Sequence, residues 1–485
     1  MTSGKKRYQN MKKTATILIT AIMAGSISSA KDISGRVLCE GKGVAGVVVS
    51  DGTGTVITDA DGKYTIDTDE DATFVFISTP AGYSSPVKDN TVDFFLPVSE
   101  KNDGYDFLLS RKKSDDRRHN LVVISDQQVY DSTEFPLLEA AAEDIAGTVR
   151  ESLPVETVGI CCGDIVSFDH PLYGKINRIM NRSGVTFRNI PGNHDMKNWG
   201  RSHETSTAEF EKVYGPAYYS FNVGDIHYVM LNDNFFIGRD YFYIGYLDEK
   251  QLRWLEQDLS YIPEGTTVFV ALHIPTTLSP KDRERFDYSE ISTRLANKKA
   301  LYDILSPYNA QIISGHMHTS TNQVIGPRIF EHNIAALSGA WWCGPICTDG
   351  TPAGYKVFRI SGNSITWKYK STGYGTDFQM KVYSPDDYTE LGGYVVANVW
   401  DYDPQWKVEY FENGIKICDM EQFEGTDPQA VTAYSDRSRL KHSYVYPTKT
   451  QHLFRAKPEC PGSPAEVRVT DRFGNTYSCK VKISE

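Results

Sequence analysis

Five apolar runs in the middle of the chain each end on side chains able to ligate a divalent cation. LVVISD ends on Asp126, VGICCGD on Asp164, and VTFRNIPGNHD on Asn193, His194 and Asp195. TVFVALHIP carries His273 near its end, and AQIISGHMH ends on His316 and His318. A lone aspartate after an apolar run is ordinarily a turn or a helix cap, and a lone histidine in one is ordinarily structural. Five such endings in one region are hard to explain in that way. The stretch LVVISDQQVYD adds a choice, because Gln128 follows Asp126 by two residues. The pair is either a turn after a buried strand or half of a metal site with an amide ligand.

For these tips to meet, the runs must be strands of one sheet system, since ligands in α/β sheets bind beyond the carboxyl ends of strands. Between residues 119 and 362, strand-like runs do alternate with amphipathic helical ones. PLLEAAAEDIAGTVRESL and EKQLRWLEQDLSYI are the clearest helices, and the region reads as a layered α/β domain. Residues 31–112 read as all-β, with short alternating runs separated by Gly, Asp and Pro turns at sandwich-like spacing. Within them TDADGKYTI resembles the hairpin of carboxypeptidase-regulatory or transthyretin-like modules, and Asp59 to Gly62 reads as a tight turn rather than a calcium loop. The polar run RKKSDDRRHN, 111–120, is a linker candidate. From residue 363 to 485 the alternation returns, ENG and RFGN supply hairpin turns, and a second small β-sandwich is expected.

At 485 residues the chain exceeds what one core serves. Residues 1–30 join a basic start, an apolar stretch from Ala15 to Gly25 and a small-residue Ser-Ser-Ala end, the pattern of a secretory signal peptide. The expected destination is periplasmic or extracellular, with no membrane-spanning segment in the mature chain. Residues 1–30 carry five basic and no acidic side chains, so their removal takes the net charge from −11 to −16. Such a surface argues against nucleic acid as a partner. It does not exclude an anionic substrate, because bound cations dominate the field around them. The eight cysteines are sparse for a disulfide scaffold, with Cys460/Cys479 and Cys343/Cys347 as candidate pairs and Cys161-Cys162 as buried thiols.

Taken in order, D-x-Q, GD, GNHD, H-x-P and GHxH resemble the calcineurin-like metallophosphoesterase superfamily, in an exported bacterial branch with a β module on each side. The resemblance implies an α/β fold, a four-layer α/β/β/α sandwich flanked by two small β-sandwich domains. It also implies a metal-dependent phosphoric ester hydrolase. Carried over residue by residue, one divalent ion takes Asp126, Gln128, Asp164 and His318. The other takes Asp164, Asn193, His273 and His316, with the Asp164 carboxylate bridging. Two such ions, about 3.5–4 Å apart, clamp phosphate oxygens and hold a hydroxide for in-line attack. His194 is then the catalytic residue that stabilises charge or protonates the leaving oxygen. Asp195 is expected to orient the His194 ring and favour its charged form.

Most of the superfamily has D-x-H where this chain has Asp126-Gln127-Gln128. A branch with D-x-Q supports Gln128 as an oxygen ligand, and strand alternation places residues 126 and 128 on one side. An amide in place of an imidazole makes that site harder, favouring Mn²⁺, Fe²⁺ or Mg²⁺ while leaving Zn²⁺ feasible. Trp341, Trp342, Asp349 and Tyr355 follow the last motif and are candidates for substrate contact, as is the aromatic loop from Leu231 to Tyr243. His170 and His332 also fall close enough to the motifs to approach the metals.

The expected substrate is a phosphomonoester or small phosphodiester on a sugar, lipid headgroup, glycan or nucleotide. Two alternatives stand beside it: a cell-surface or glycan-binding protein with a vestigial metal site, and a phosphoprotein phosphatase.

Overall fold

Leu121 and Val123 leave their strand on one face and Val122 and Ile124 on the other, and this alternation sorts the middle of the chain into layers. In the computed structural model, which describes residues 31–99, 104–151, 155–239, 242–279, 290–388 and 391–482, all four are buried. Residues 1–30, read as a signal peptide, lie outside the described residues.

The first catalytic sheet runs in the order Phe187–Asn189, Thr157–Cys161, Arg118–Ile124, Gly354–Ser361, Ser364–Ser371. Its first three strands are parallel and the last two antiparallel. Helices Phe135–Glu151 and Tyr173–Met180 cover one face, burying Leu138, Ala141, Ile145 and Ile176 against Val122 and Ile124. The second sheet has a parallel centre of Ile226–Met230, Thr267–Ala271, Asn309–Ser314 and Ile329–Asn333, with antiparallel edges. Helices Glu249–Leu259 and Lys298–Leu305 bury Trp254, Leu255, Leu301 and Leu305 in the core this sheet shares. Between the sheets Phe269 meets Phe358 edge-on, ring centroids 5.3 Å apart. The result is the expected four-layer α/β/β/α sandwich.

Two β-rich modules flank it. Lys31–Cys39 pairs antiparallel with Lys63–Thr68, whose side chains alternate between exposed and buried, and parallel with Phe107–Arg111. Asp59 Oδ1 accepts from the amides of Asp61 and Lys63, making the tight turn expected there. The carboxyl-terminal module is two four-stranded sheets enclosing Val395, Ala397, Val408, Tyr410, Val467 and Val469.

Three expectations need correction. The run ITWKYKST, assigned to the carboxyl-terminal module, is the edge strand Ser364–Ser371 of the first catalytic sheet, paired along its length with Gly354–Ser361. The catalytic region therefore extends to residue 371 rather than 362, because alternation marks a strand without naming its sheet. The linker candidate is short and tied down, with Lys112 paired to Asp116 at 3.0 Å and to Glu156 at 2.8 Å. All eight cysteines are free thiols, including the candidate pairs.

Candidate metal centre

The strand Arg118–Ile124 ends before the first ligand pair, and residues 126–129 continue beside residues 163–166. Asp126 N–H donates to Gly163 O, Gln128 N–H to Asp164 O and Val129 N–H to Ile165 O. Asp126, Gln128, Asp164, His316 and His318 all have positive φ, at 53°, 39°, 53°, 72° and 52°. Non-glycine residues rarely occupy this region, and such strain persists where surrounding contacts over-determine it, characteristically at ligand sites. The turns are possible because the backbone closes tightly. A Cβ on Gly315 would fall 1.6 Å from Ser125 Oγ, and one on Gly192 would fall 2.1 Å from Asp164 Oδ1.

Three histidines at the centre each have one nitrogen fixed by a carbonyl. His273 Nδ1–H donates to Cys162 O at 2.8 Å, His316 Nε2–H to Ser292 O at 3.1 Å, and His318 Nδ1–H to Gly339 O at 2.6 Å. In the neutral tautomer so selected, the inward nitrogens His273 Nε2, His316 Nδ1 and His318 Nε2 are lone pairs. They face other acceptors. His273 Nε2 lies 3.1 Å from His316 Nδ1, 3.0 Å from Asn193 Oδ1 and 3.4 Å from Asp164 Oδ2. His318 Nε2 lies 3.5 Å from Asp126 Oδ1, while Gln128 Nε2 reaches Asp164 Oδ2 at 3.4 Å. Asp126 Oδ1 and Gln128 Oε1 are buried and have no hydrogen-bond partner.

Buried acceptors left facing one another are costly, and divalent cations resolve the conflict. The donor set fits two. Asp164, His273 and His316 gather within 4.8 Å of one another, with Asn193 beside them, as one half; Asp126 and His318, with the unpartnered Gln128 Oε1, make the other. Asp164 joins them, through one oxygen rather than two. Its Oδ2 faces both halves, whereas its Oδ1 accepts the His194 backbone N–H at 2.8 Å.

His194 stands at this centre with its ring 4.3 Å from that of Phe168 and with Nδ1 buried and unpartnered. Burial holds its pKa down at about 4, outweighing the pull of Asp164, so the ring is neutral. The expectation that Asp195 orients this ring and favours its charge is corrected. The Asp195 carboxylate turns away to accept from Gly192 N–H at 2.8 Å, from the Ile165 and Val166 amides, and from Tyr173 O–H at 2.9 Å. The tight 3₁₀ turn Asn193–Asp195 sends neighbouring side chains in different directions.

Three family models match consecutive stretches of the chain: the N terminal of calcineurin-like phosphoesterase at residues 31–112, calcineurin-like phosphoesterase at 119–320, and the C terminal of calcineurin-like phosphoesterase at 331–477. The chain belongs to the calcineurin-like phosphoesterases. Serine/threonine-protein phosphatase CPPED1 of Bos taurus is 24% identical over 244 residues, which span 47% of this chain and 72% of that protein. The Homo sapiens protein matches at the same identity over the same length. Among solved structures, a dimetal phosphatase from Danio rerio has 14% identity and a TM-score of 0.36, covering 52% of this chain and 96% of that one. Purple acid phosphatase from yellow lupin (Lupinus luteus) seeds has 11% identity and a TM-score of 0.38, covering 68% of each chain. As a calcineurin-like phosphoesterase the chain is a metal-dependent phosphoric ester hydrolase, and the family implies two divalent metals.

The phosphoesterase's candidate substrate residues divide. Trp341 stacks on His318, centroids 3.9 Å apart, and so stands at the candidate metal centre. Trp342 donates its indole N–H to Gln127 O at 2.8 Å, fixing the peptide beside Gln128. Asp349 and Tyr355 do not line the site. Asp349 is fully buried, accepting from Ser320 N–H and lying 3.0 Å from His452 Nε2. Tyr355 is fully buried in the strand Gly354–Ser361, where its hydroxyl donates to Asp144. The aromatic loop is a hairpin of Asn234–Arg239 with Phe242–Gly245, and Tyr243 comes within 6.0 Å of the His316 ring. His170 bonds to the Asp195 backbone oxygen and packs against the Tyr173 ring, and His332 lies in a buried network with Lys356 and Asn322.

Two supporting residues were missed. Asp233 accepts from the His273 and Ile274 amides and holds that loop, burial pushing its carboxyl up to about 7. Glu331 accepts from the amides of Thr276 and Thr277 and from Ser314 Oγ. The run YVMLND ends on Asp233 as the other runs end on their ligands, so the signal was present.

Proposed function

We propose that this phosphoesterase is an exported enzyme that hydrolyses a phosphomonoester or a small phosphodiester on a small molecule, glycan or lipid headgroup. The convergence of lone pairs from His273, His316 and His318 with Asp126, Gln128, Asp164 and Asn193 is the observation that carries the reading. Asp126, Gln128, Asp164 and His318 would hold one cation; Asp164, Asn193, His273 and His316 would hold the other. When bound, such ions neutralise phosphate oxygens and lower the pKa of a water towards neutrality.

The chain's own groups do the rest. The backbone carbonyls of Cys162, Ser292 and Gly339 keep the three ligand imidazoles in the accepting tautomer. His194 is placed to meet the substrate beside Asn193, where its neutral ring donates an N–H hydrogen bond to phosphate or to the leaving oxygen. The Gln128 amide makes its half of the site harder, favouring Mn²⁺, Fe²⁺ or Mg²⁺ over Zn²⁺. Export is supported by the basic-then-apolar start of the chain, and within the described residues no helix is long and apolar enough to cross a membrane.

A panel of phosphate mono- and diesters assayed with each of these metals tests the reading, with Asp164→Asn as the control. Undiminished turnover in that variant overturns it. The likeness to serine/threonine-protein phosphatases supports a second reading, action on phosphoproteins. Faster hydrolysis of phosphopeptides than of sugar or nucleoside phosphates would favour it.

A further inference from the structure

Beside the candidate metal centre stands an aromatic wall contributed by two domains. Trp341 lies flat on His318, and Tyr444 of the carboxyl-terminal module stands nearly perpendicular to it, centroids 5.2 Å apart at 86°. His442 stacks on Tyr444 at 5.2 Å, and Tyr130, two residues beyond Gln128, meets His442 at 5.6 Å. Tyr130 and Tyr444 are about half exposed, at 51% and 48%. Trp341 and Trp342 both have positive φ, 51° and 57°, an uncommon conformation for bulky side chains that is retained where a ligand must be held.

The charged groups beside the wall are already committed to one another. Lys441 Nζ donates to Asp131 and Glu134, Tyr130 N–H donates to Glu134 Oε2 at 2.7 Å, and Thr133 N–H donates to Asp131 at 2.8 Å. The Trp342 indole N–H is spent on Gln127 O. A sugar or inositol ring needs partners for several hydroxyls, and hydroxyls desolvated without partners cost affinity. A flat aromatic ring needs only faces, which this corner supplies.

We propose that the Trp341–Tyr444 corner is the leaving-group subsite, and that the leaving group carries an aromatic ring, either a nucleobase or an aryl group. The inference rests on the phosphoesterase reading above and names its substrate class.

The test uses the full chain loaded with Mn²⁺ and two pairs of esters, each pair matched in its departing primary alkoxide. Adenosine 5′-monophosphate is compared with ribose 5-phosphate, and benzyl phosphate with cyclohexylmethyl phosphate. In at least one pair the aromatic member is expected to have a kcat/KM about tenfold higher, the size of one stacking contact. The pair that shows the preference identifies the ring as base or aryl. Tyr444→Ala is expected to abolish the preference while leaving the ring-free ester nearly unchanged, and Tyr444→Leu, which keeps bulk without a flat face, to do the same. Equal kcat/KM within both pairs overturns the subsite, as does a preference that survives both substitutions or an equal loss on both members of a pair. Failure to hydrolyse any of the four esters strikes instead at the phosphoesterase reading.

Discussion

His273 Nε2 and His316 Nδ1 stand 3.1 Å apart, and each ring has given its other nitrogen to a backbone carbonyl. Two lone pairs at that distance repel unless a cation or a proton lies between them. Burial alone would keep His273 neutral, but the Asp164 carboxylate outweighs it and pushes the ring up to about 10 in the metal-free protein.

Chelation should therefore lower thermal stability as well as activity. Cation binding at a hundredfold excess over Kd is worth about 2.7 kcal/mol to the folded state. Thermal unfolding followed across a Mn²⁺ titration of stripped protein should show Tm rising with metal. A flat Tm would mean that these acceptors hold no cation.

Gln128→His replaces an amide oxygen with a softer imidazole. The variant should keep metal and turnover but shift towards zinc when dialysed against equal zinc and manganese. Elemental analysis reads the ratio, and one identical to the parent would remove Gln128 from the ligand set.

The side chains that converge were legible because their signal is local: each apolar run stops at a polar tip that the sheet edge gathers with the others. What lies beyond the tips depends on partners distant in sequence. Asp126 and Gln128 do share a side, yet left-handed turns rather than strand alternation put them there. Tyr355 looked like a pocket residue until its strand was seen to pair with Arg118–Ile124, which buries it against Asp144 on the neighbouring helix. Asp349 follows the last motif closely, but its carboxylate is occupied by Ser320 and by His452 from the other module. No pattern within VFRISGNSITWKYKST states which sheet the second strand joins, so the boundary at residue 362 divided a hairpin.

The catalytic and carboxyl-terminal domains share a buried ion pair whose loss should be felt globally. Lys356 Nζ lies 2.8 Å from Asp401 Oδ1, with side-chain exposures of 3% and 0%, and it also contacts Asn322 and His332. Removing one partner strands the other charge, at a cost of about 3–5 kcal/mol. Asp401→Asn and Lys356→Met should each lower the denaturation midpoint markedly. The double variant Lys356→Met/Asp401→Leu should recover much of the loss, because no buried charge is left. A double variant no better than the worse single one would refute this account.

Asp195 and His194 are neighbours in sequence with separable roles, and metal content distinguishes them. Were Asp195 to orient the His194 ring, Asp195→Asn would behave like His194→Ala, with kcat falling by about 10²–10⁴ and metal retained. Its carboxylate instead ties Gly192 to Ile165, Val166 and Tyr173, joining the loop that carries Asn193 to the one that carries Asp164. An asparagine has one acceptor oxygen where the carboxylate uses two, and its amide group would face N–H donors. Asp195→Asn should therefore loosen both loops, lowering Tm and releasing metal at chelator concentrations that leave His194→Ala fully loaded. Retention of metal by Asp195→Asn together with a purely kinetic defect would return the residue to the orienting role.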